Sequence, residues 1–405
     1  MLTHQQKNGS IGPQIDLDLL HDNPYPTFQE LLAHEPVSWV PSLNMWLVTR
    51  RDDVIAILKN PSTFTNQSEH SLIEDTLGRM MLTIDGPPHR RLRNPFAAPF
   101  RPRILRKHHA DVISTITHRL IDDFIDDGVV DLDKAFSDRL ALYAVVEVLG
   151  LPIEHEAEFR GWYDDFSEAI ANFKRDRAIR EAGQAAFQLY RAYVLERINY
   201  LTDHPDHSLL SQLIHDSNHD LTPDEIVSGT AITIFGGLET TAALLSNTVW
   251  ALLTHPNQME MVRHHPELIV GALEETLRWE APVQTLTRHL TRNVGAVREP
   301  PLRAVTMKEG DTISCMIGAA NRDPSFFENP DEFNIQRSNA RKHLSFGLGV
   351  HFCLGASLAR LEGTIGLPIL FERLPNLKLH PHHPTKPVGH EFRSTPTLFV
   401  EWFCG

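Results

Sequence analysis

The sequence predicts a mainly α-helical fold with small β-sheets, organised around one long central helix. Three observations carry that reading. Apolar residues recur at three-to-four spacing through residues 111–125, 136–149 and 166–200, the last stretch with many charges on its other face. Residues 221–256, LTPDEIVSGTAITIFGGLETTAALLSNTVWALLTHP, are apolar nearly all round between Ala231 and Leu253, the mark of a helix enclosed by protein. Beyond Glu280 prolines become frequent, and short β-type runs at 312–317 and 397–402 replace long helices.

Taken in order, the apolar runs 37–40 and 45–49 flank Pro41-Ser42-Leu43-Asn44 and predict a hairpin near the start. Gly128, Gly150-Leu151-Pro152 and His204-Pro205 read as turns between helices. Without repeats, low-complexity tracts or a Ser/Gly linker, residues 1–405 are expected to form a single domain. The central segment opens with Thr222 as N-cap, Pro223 at the first helical position and Glu225 placed to close a capping box, and Pro256 stops it. Such a helix spans roughly 50 Å. It is about long enough for lipid, but Glu239, Thr240, Thr241 and Asn247 lie inside it, and a carboxylate at mid-membrane costs roughly 3 kcal/mol. No membrane association is therefore expected.

Composition is that of a globular protein, with 41% hydrophobic and 22% charged residues. A formal charge of −14 argues against nucleic-acid binding, which needs a basic surface to displace counterions from phosphates. Only Cys315, Cys353 and Cys404 occur, with no Cys-x-x-Cys pair, and the opening MLTHQQKNGSIGPQ has neither a signal core nor an anchor. A cytoplasmic protein is expected.

Two places carry chemistry. Gly236-Gly237 in mid-helix costs roughly 1 kcal/mol per glycine relative to alanine. Either a flat ligand or dioxygen approaches the backbone there, beside an acid, Glu239, and an alcohol, Thr240, able to relay protons, or the glycines serve a helix contact. Further on, FGLGVHFCLG, residues 346–355, precedes a helix-forming run, ASLARLEG. Gly347, Gly349 and Gly355 let the backbone bend around a large planar group, and the sulfur of Cys353 stands at a helix amino terminus, which favours thiolate. Such a sulfur suits the axial position of haem iron. A small buried cysteine or a nucleophile is the alternative, but no oxyanion site or orienting third group for a nucleophile is recognisable.

FGLGVHFCLG resembles the haem-ligand signature of the cytochrome P450 family. GGLETT, residues 236–241, resembles that family's oxygen-binding motif, and LEETLRW, residues 273–279, its Glu-x-x-Arg helix with Glu275 and Arg278 as the pair. ANRDP at 320–324 and PDEF at 330–333 extend the similarity, which is strong from about Leu221 onward. Upstream it rests mostly on DGPPHRRLR, residues 85–93, similar to the family's segment contacting haem propionates.

The resemblance implies a cytochrome P450 fold and a haem-thiolate monooxygenase holding haem b (iron protoporphyrin IX). Cys353 would be the metal ligand; His89, Arg93, Arg288 and His351 would meet the propionates, with Gly236, Phe346 and Gly355 framing the cofactor. Thr240 would donate a hydrogen bond on the oxygen side and Glu239 would feed protons. Glu275 and Arg278 would be a buried structural pair tying their helix to the segment before the cysteine loop. Ile234, Leu238, Val283, Leu286, Thr287 and Phe392, with parts of 68–82, would line a pocket for a hydrophobic small molecule. The stretch 298–307 departs from the shorter hairpin expected there.

Electrons would come from a separate carrier, since the chain ends soon after the expected terminal sheet with no flavin or iron-sulfur module; the alternative is the excised haem domain of a fusion. From Pro87 to Ala110 there is no acid, while Arg101, Arg103, Arg106 and Lys107 accumulate; they either face an acidic donor such as a ferredoxin or flavodoxin or form a solvated basic helix face. A monomer is expected. A non-catalytic haem sensor or carrier is the competing reading, and Glu239 with Thr240 argues against it, as such a protein would not need the pair.

Overall fold

The computed structural model of the chain describes residues 10–296 and 305–403. The predicted hairpin is present: β1 (Val37–Val40) pairs antiparallel with β2 (Met45–Val48), Trp39 facing Trp46, and Asn44 takes the left-handed turn position that asparagine tolerates. The short β3 (Phe64–Thr65) and β4 (Val129–Asp131) precede and interrupt the helical body. That body consists of α1 (Gly86–Ala97), α2 (Pro102–Asp122), α3 (Asp138–Leu149), α4 (Glu156–Ile170), α5 (Arg177–Asp203), the central α6 (Pro223–Thr254) and α7 (Ile269–Trp279). After it come β5 (Thr285–Leu290), β6 (Thr312–Met316), α8 (Ala356–Arg373), β7 (Lys378–Leu379) and β8 (Phe399–Glu401).

Two small sheets flank the helices. One has the order β1-β2-β6-β5-β3, with β2 and β6 parallel; the other joins β4, β8 and β7. Residues 297–304, most of the unusual 298–307 stretch, and Cys404 lie outside the described residues. Val305–Met307 pairs antiparallel with Val294–Ala296.

The 32 residues of α6 give a length of about 48 Å, matching the expectation. Its start is fixed as the sequence predicts: Thr222 Oγ1 accepts from the Glu225 amide and the Glu225 carboxylate accepts from the Thr222 amide. Apolar on nearly every side, α6 is enclosed by α3, α5 and α7, and most of its residues are buried in the largest hydrophobic cluster. Among the described residues no helix is long and apolar enough to cross a membrane.

The periodic stretch 166–200 is not one helix. It breaks between α4 and α5, where Asp176 accepts from the amides of Ala178 and Ile179 and Arg175 adopts a φ of 55°. An N-cap aspartate restarts the helix, and the unbroken apolar periodicity hides the joint.

His109 on the inner side of α2 is buried, and its Nδ1 has no hydrogen-bond partner. Burial, followed by the neighbouring charges of His108 and His207, pushes its value down to about 4. An unfolded histidine titrates near 6.5, so between about pH 6.5 and 4 the native chain binds fewer protons than the unfolded one, and stability present above that window is lost as pH falls through it. The expected loss at pH 4.5 is about 2 to 3 kcal/mol from this residue. His109→Leu, which cannot titrate, should flatten the fall of the thermal midpoint between pH 7 and 4.5; an unchanged pH dependence would count against this account.

Candidate active site

The loop before α8 is shaped by its backbone. Gly349 has φ +77°, and a side-chain carbon there would come within 2.6 Å of the Leu58 carbonyl oxygen, so only glycine fits. The Cys353 amide donates to the Phe346 carbonyl at 2.8 Å, closing the loop. Arg360, one turn into α8, lies 4.5 Å from the centre of the Phe346 ring and is held by Glu274, which His343 also contacts. Burial works against ionising Glu274, but hydrogen bonds from His343 and Arg360 hold its carboxyl down at about 2.

Gly355 caps α8, placing the amides of Gly355 and Ala356 at the Cys353 sulfur. Burial nevertheless outweighs these amides and the Arg93 and Arg360 charges, and the thiol is pushed up. The helix terminus thus favours thiolate as the sequence predicts, while burial opposes it, and a positively charged partner bound to the sulfur would tip the balance.

Beside the loop, side chains from distant segments form a cationic cradle. The rings of His89 (α1) and His351 lie 4.3 Å apart, and Arg93, one turn beyond His89, donates to the Phe352 carbonyl. His89 is 2% exposed with an unpartnered Nε2, and burial, then the His351 and Arg93 charges, push it down to about 4, so it is neutral. Arg288 on β5 is 6% exposed, yet donates only to the neighbouring Thr287 carbonyl and has no carboxylate within ion-pair distance among the described residues. Asp85, absent from the predicted site, accepts from His351 Nε2 (2.7 Å), Thr65 Oγ1 (2.6 Å) and the Asn66 amide (2.8 Å). Burial raises its carboxyl, but these donors win and hold it below the usual range. A buried guanidinium with no ion-pair partner among the described residues and an orphaned imidazole nitrogen leave room for an anionic ligand.

The α6 glycines divide the two roles that the sequence left open. A side-chain carbon at Gly237 would meet Val145 of α3 at 3.2 Å, a packing contact, whereas at Gly236 it would meet nothing within 4 Å. Glu239 and Thr240 lie on the open side with Gly236, and Thr240 Oγ1 donates to the Gly236 carbonyl at 2.6 Å, keeping its lone pairs free to accept. Glu239 Oε2 accepts from the Tyr163 hydroxyl at 2.9 Å.

Two predicted pocket residues are corrected. Ile234 and Leu238 stand two positions either side of Gly236, about 160° around the helix from it, and are buried in the core instead. Ile232, one turn before Gly236, shares its side although it is buried in the same cluster, and Phe235 lies about 100° round from the glycine. Of the other predicted lining residues, Val283 bridges Phe392 and Leu286 lies against Gly347 of the cysteine loop, while Thr287 and Phe392 are exposed.

Glu275 and Arg278 are both fully buried. Two parallel bonds of 2.7 and 2.8 Å join them, and Arg278 also donates to the carbonyls of Asn321, Pro330 and Glu332. Glu275 in turn accepts from Arg337 and from the Asn334 amide, so the pair lashes α7 to the segment leading into the cysteine loop.

A half-buried cysteine at a helix amino terminus, with the Arg93 and Arg288 guanidinium groups and the His89 imidazole near it, is a donor set that fits a porphyrin metal carrying two carboxylates. Comparison with known proteins agrees. A family model described as Cytochrome P450 matches residues 158–391. The biotin biosynthesis cytochrome P450 of Bacillus subtilis (strain 168) is 34% identical over 88% of this chain and 90% of its own length. The 6-deoxyerythronolide B hydroxylase of Saccharopolyspora erythraea is 33% identical over 91% of this chain and 92% of its own. Among solved structures, P450BioI in complex with acyl carrier protein ligated by hexadec-9Z-enoic acid superposes with a TM-score of 0.84 at 33% identity, covering 95% of this chain and 100% of that one.

Proposed function

We propose that Cys353, Glu239 and Thr240 carry the chemistry of this chain, which belongs to the cytochrome P450 family and is a haem-thiolate monooxygenase. Bound haem supplies the redox chemistry, activating dioxygen with two electrons from a redox partner and two protons so that one oxygen atom enters the substrate. Cys353 would ligate the iron, while Arg93, Arg288 and His89 would receive the propionates, with Asp85 orienting His351 beside them. The absence of a Cys-x-x-Cys-His attachment motif supports non-covalent haem b.

The single observation that carries the catalytic assignment is the open α6 face, where Gly236 leaves room and Glu239 and Thr240 stand beside it. The Thr240 hydroxyl, already donating to Gly236, would accept a proton from the Glu239 side and pass its own on. Thr240→Ala should keep haem and substrate binding while most reducing equivalents end as peroxide, cutting product per reductant by about tenfold. Fully coupled turnover in that variant would remove the assignment.

The finer readings follow the same chemistry. The apolar Val283 and Leu286 beside the cysteine loop would border a pocket for a hydrophobic substrate, and the fatty acyl chain named with P450BioI and the 6-deoxyerythronolide B named with its hydroxylase are of that kind. Arg101, Arg103, Arg106 and Lys107 are exposed at the start of α2, a helix that packs on α8, and would dock an acidic ferredoxin or flavodoxin. We read the chain as one cytoplasmic domain acting as a monomer.

A further inference from the structure

Tyr163 on α4 takes no part in the mechanism above, yet it is placed against the acid on which proton delivery depends. Its hydroxyl donates to Glu239 Oε2 at 2.9 Å. Its ring stacks on Phe235, centroids 6.0 Å apart and planes 27° from parallel. Phe235 and Glu239 are one turn apart on α6, so a single side chain grips the helix at both places: the ring contact sets its position, and the hydroxyl fixes one carboxylate oxygen. Burial, then the negative charge of Glu239, push the Tyr163 phenol above its usual range, so it stays protonated and remains a donor. With Oε2 held towards α4, the second oxygen is left for the relay to Thr240.

We propose that Tyr163 is a positioning residue for oxygen activation, selecting the Glu239 conformation that delivers protons. The inference rests on the reading of Glu239 as proton donor. It also makes proton supply depend on where α4 sits, because the grip spans two helices. α4 packs on α5 and on the short helix Leu72–Leu77, which lies within the segment expected to border the substrate pocket.

The test uses the haem-loaded enzyme in four forms: wild type, Tyr163→Phe, Glu239→Gln and the double variant. Tyr163→Phe keeps the ring on Phe235, so the fold is retained, and equal thermal midpoints verify this. Two readouts are taken: the infrared carboxylate band isolated by subtracting the Glu239→Gln spectrum, and the rate of NADH consumption with a surrogate ferredoxin system. The Glu239 band should shift in Tyr163→Phe, and NADH consumption should fall by about tenfold there and further in Glu239→Gln, with the double variant no slower than Glu239→Gln alone. An unmoved band, or a Tyr163→Phe loss repeated in full on the Glu239→Gln background, overturns the positioning role. Slow Glu239→Gln with unaffected Tyr163→Phe sinks this inference alone, whereas unaffected Glu239→Gln sinks the proton-donor reading together with it.

Discussion

Cys353→Ser is expected to abolish monooxygenation, lowering product formation by more than about 10³-fold, while leaving the fold nearly intact. The loop that presents residue 353 is held by the left-handed Gly347 and Gly349, by the Cys353 amide on the Phe346 carbonyl, and by Arg93 on the Phe352 carbonyl. None of these contacts uses the sulfur. The His89, Arg93 and Arg288 cradle is untouched as well, so some haem should still bind. What disappears is the soft anion: a thiol ionises readily when a metal joins it, and an alcohol in the same place has no comparable tendency to ionise. The check is the carbon-monoxide difference spectrum of the reduced protein, whose red-shifted thiolate band should vanish while the thermal midpoint of the haem-free chain moves little. A retained band would mean that another residue ligates the iron.

How far this site is written locally in the sequence differs from part to part. The α6 start is legible because Thr222, Pro223 and Glu225 satisfy their own neighbours' amides. The cysteine loop is legible for a similar reason, since glycines at fixed offsets from a sulfur meet a requirement of the local backbone. Asp85 and Tyr163 are different. They reach their partners across 266 and 76 residues of chain, and nothing in the spacing of a lone acid or tyrosine announces such a contact. Ile234 and Leu238 went astray through helix phase: apolar on an all-apolar helix, they gave no cue to their direction, and only the angle from Gly236 separates core from pocket. The break at residues 171–176 escaped because its flanking helices keep one apolar rhythm, and Asp176 reads equally well as one more surface charge.

Glu275→Ala should be the most damaging single change for stability, costing about 3 to 5 kcal/mol, and more than Arg278→Ala. The asymmetry follows from what each truncation strands. Without Glu275, two guanidinium groups, Arg278 and Arg337, lose their shared carboxylate in a site closed to water, and the Asn334 amide loses its acceptor. Without Arg278, the Glu275 carboxylate keeps Arg337 at 3.0 Å and the Asn334 amide at 2.9 Å, the Glu332 carbonyl keeps Arg337, and the stranded groups are the neutral carbonyls of Asn321 and Pro330. An unpaired buried charge costs more than an unpaired carbonyl, so the acid is the keystone. Because the bonded segment 321–337 runs into the cysteine loop, the loss should appear as faster haem release as well as a lower denaturant midpoint. Urea unfolding of the two single variants and of the double variant closes the cycle, in which the double should cost less than the sum of the singles. Equal losses from both singles, or less than about 1 kcal/mol from Glu275→Ala, would show that the pair is not what fastens α7 to the loop.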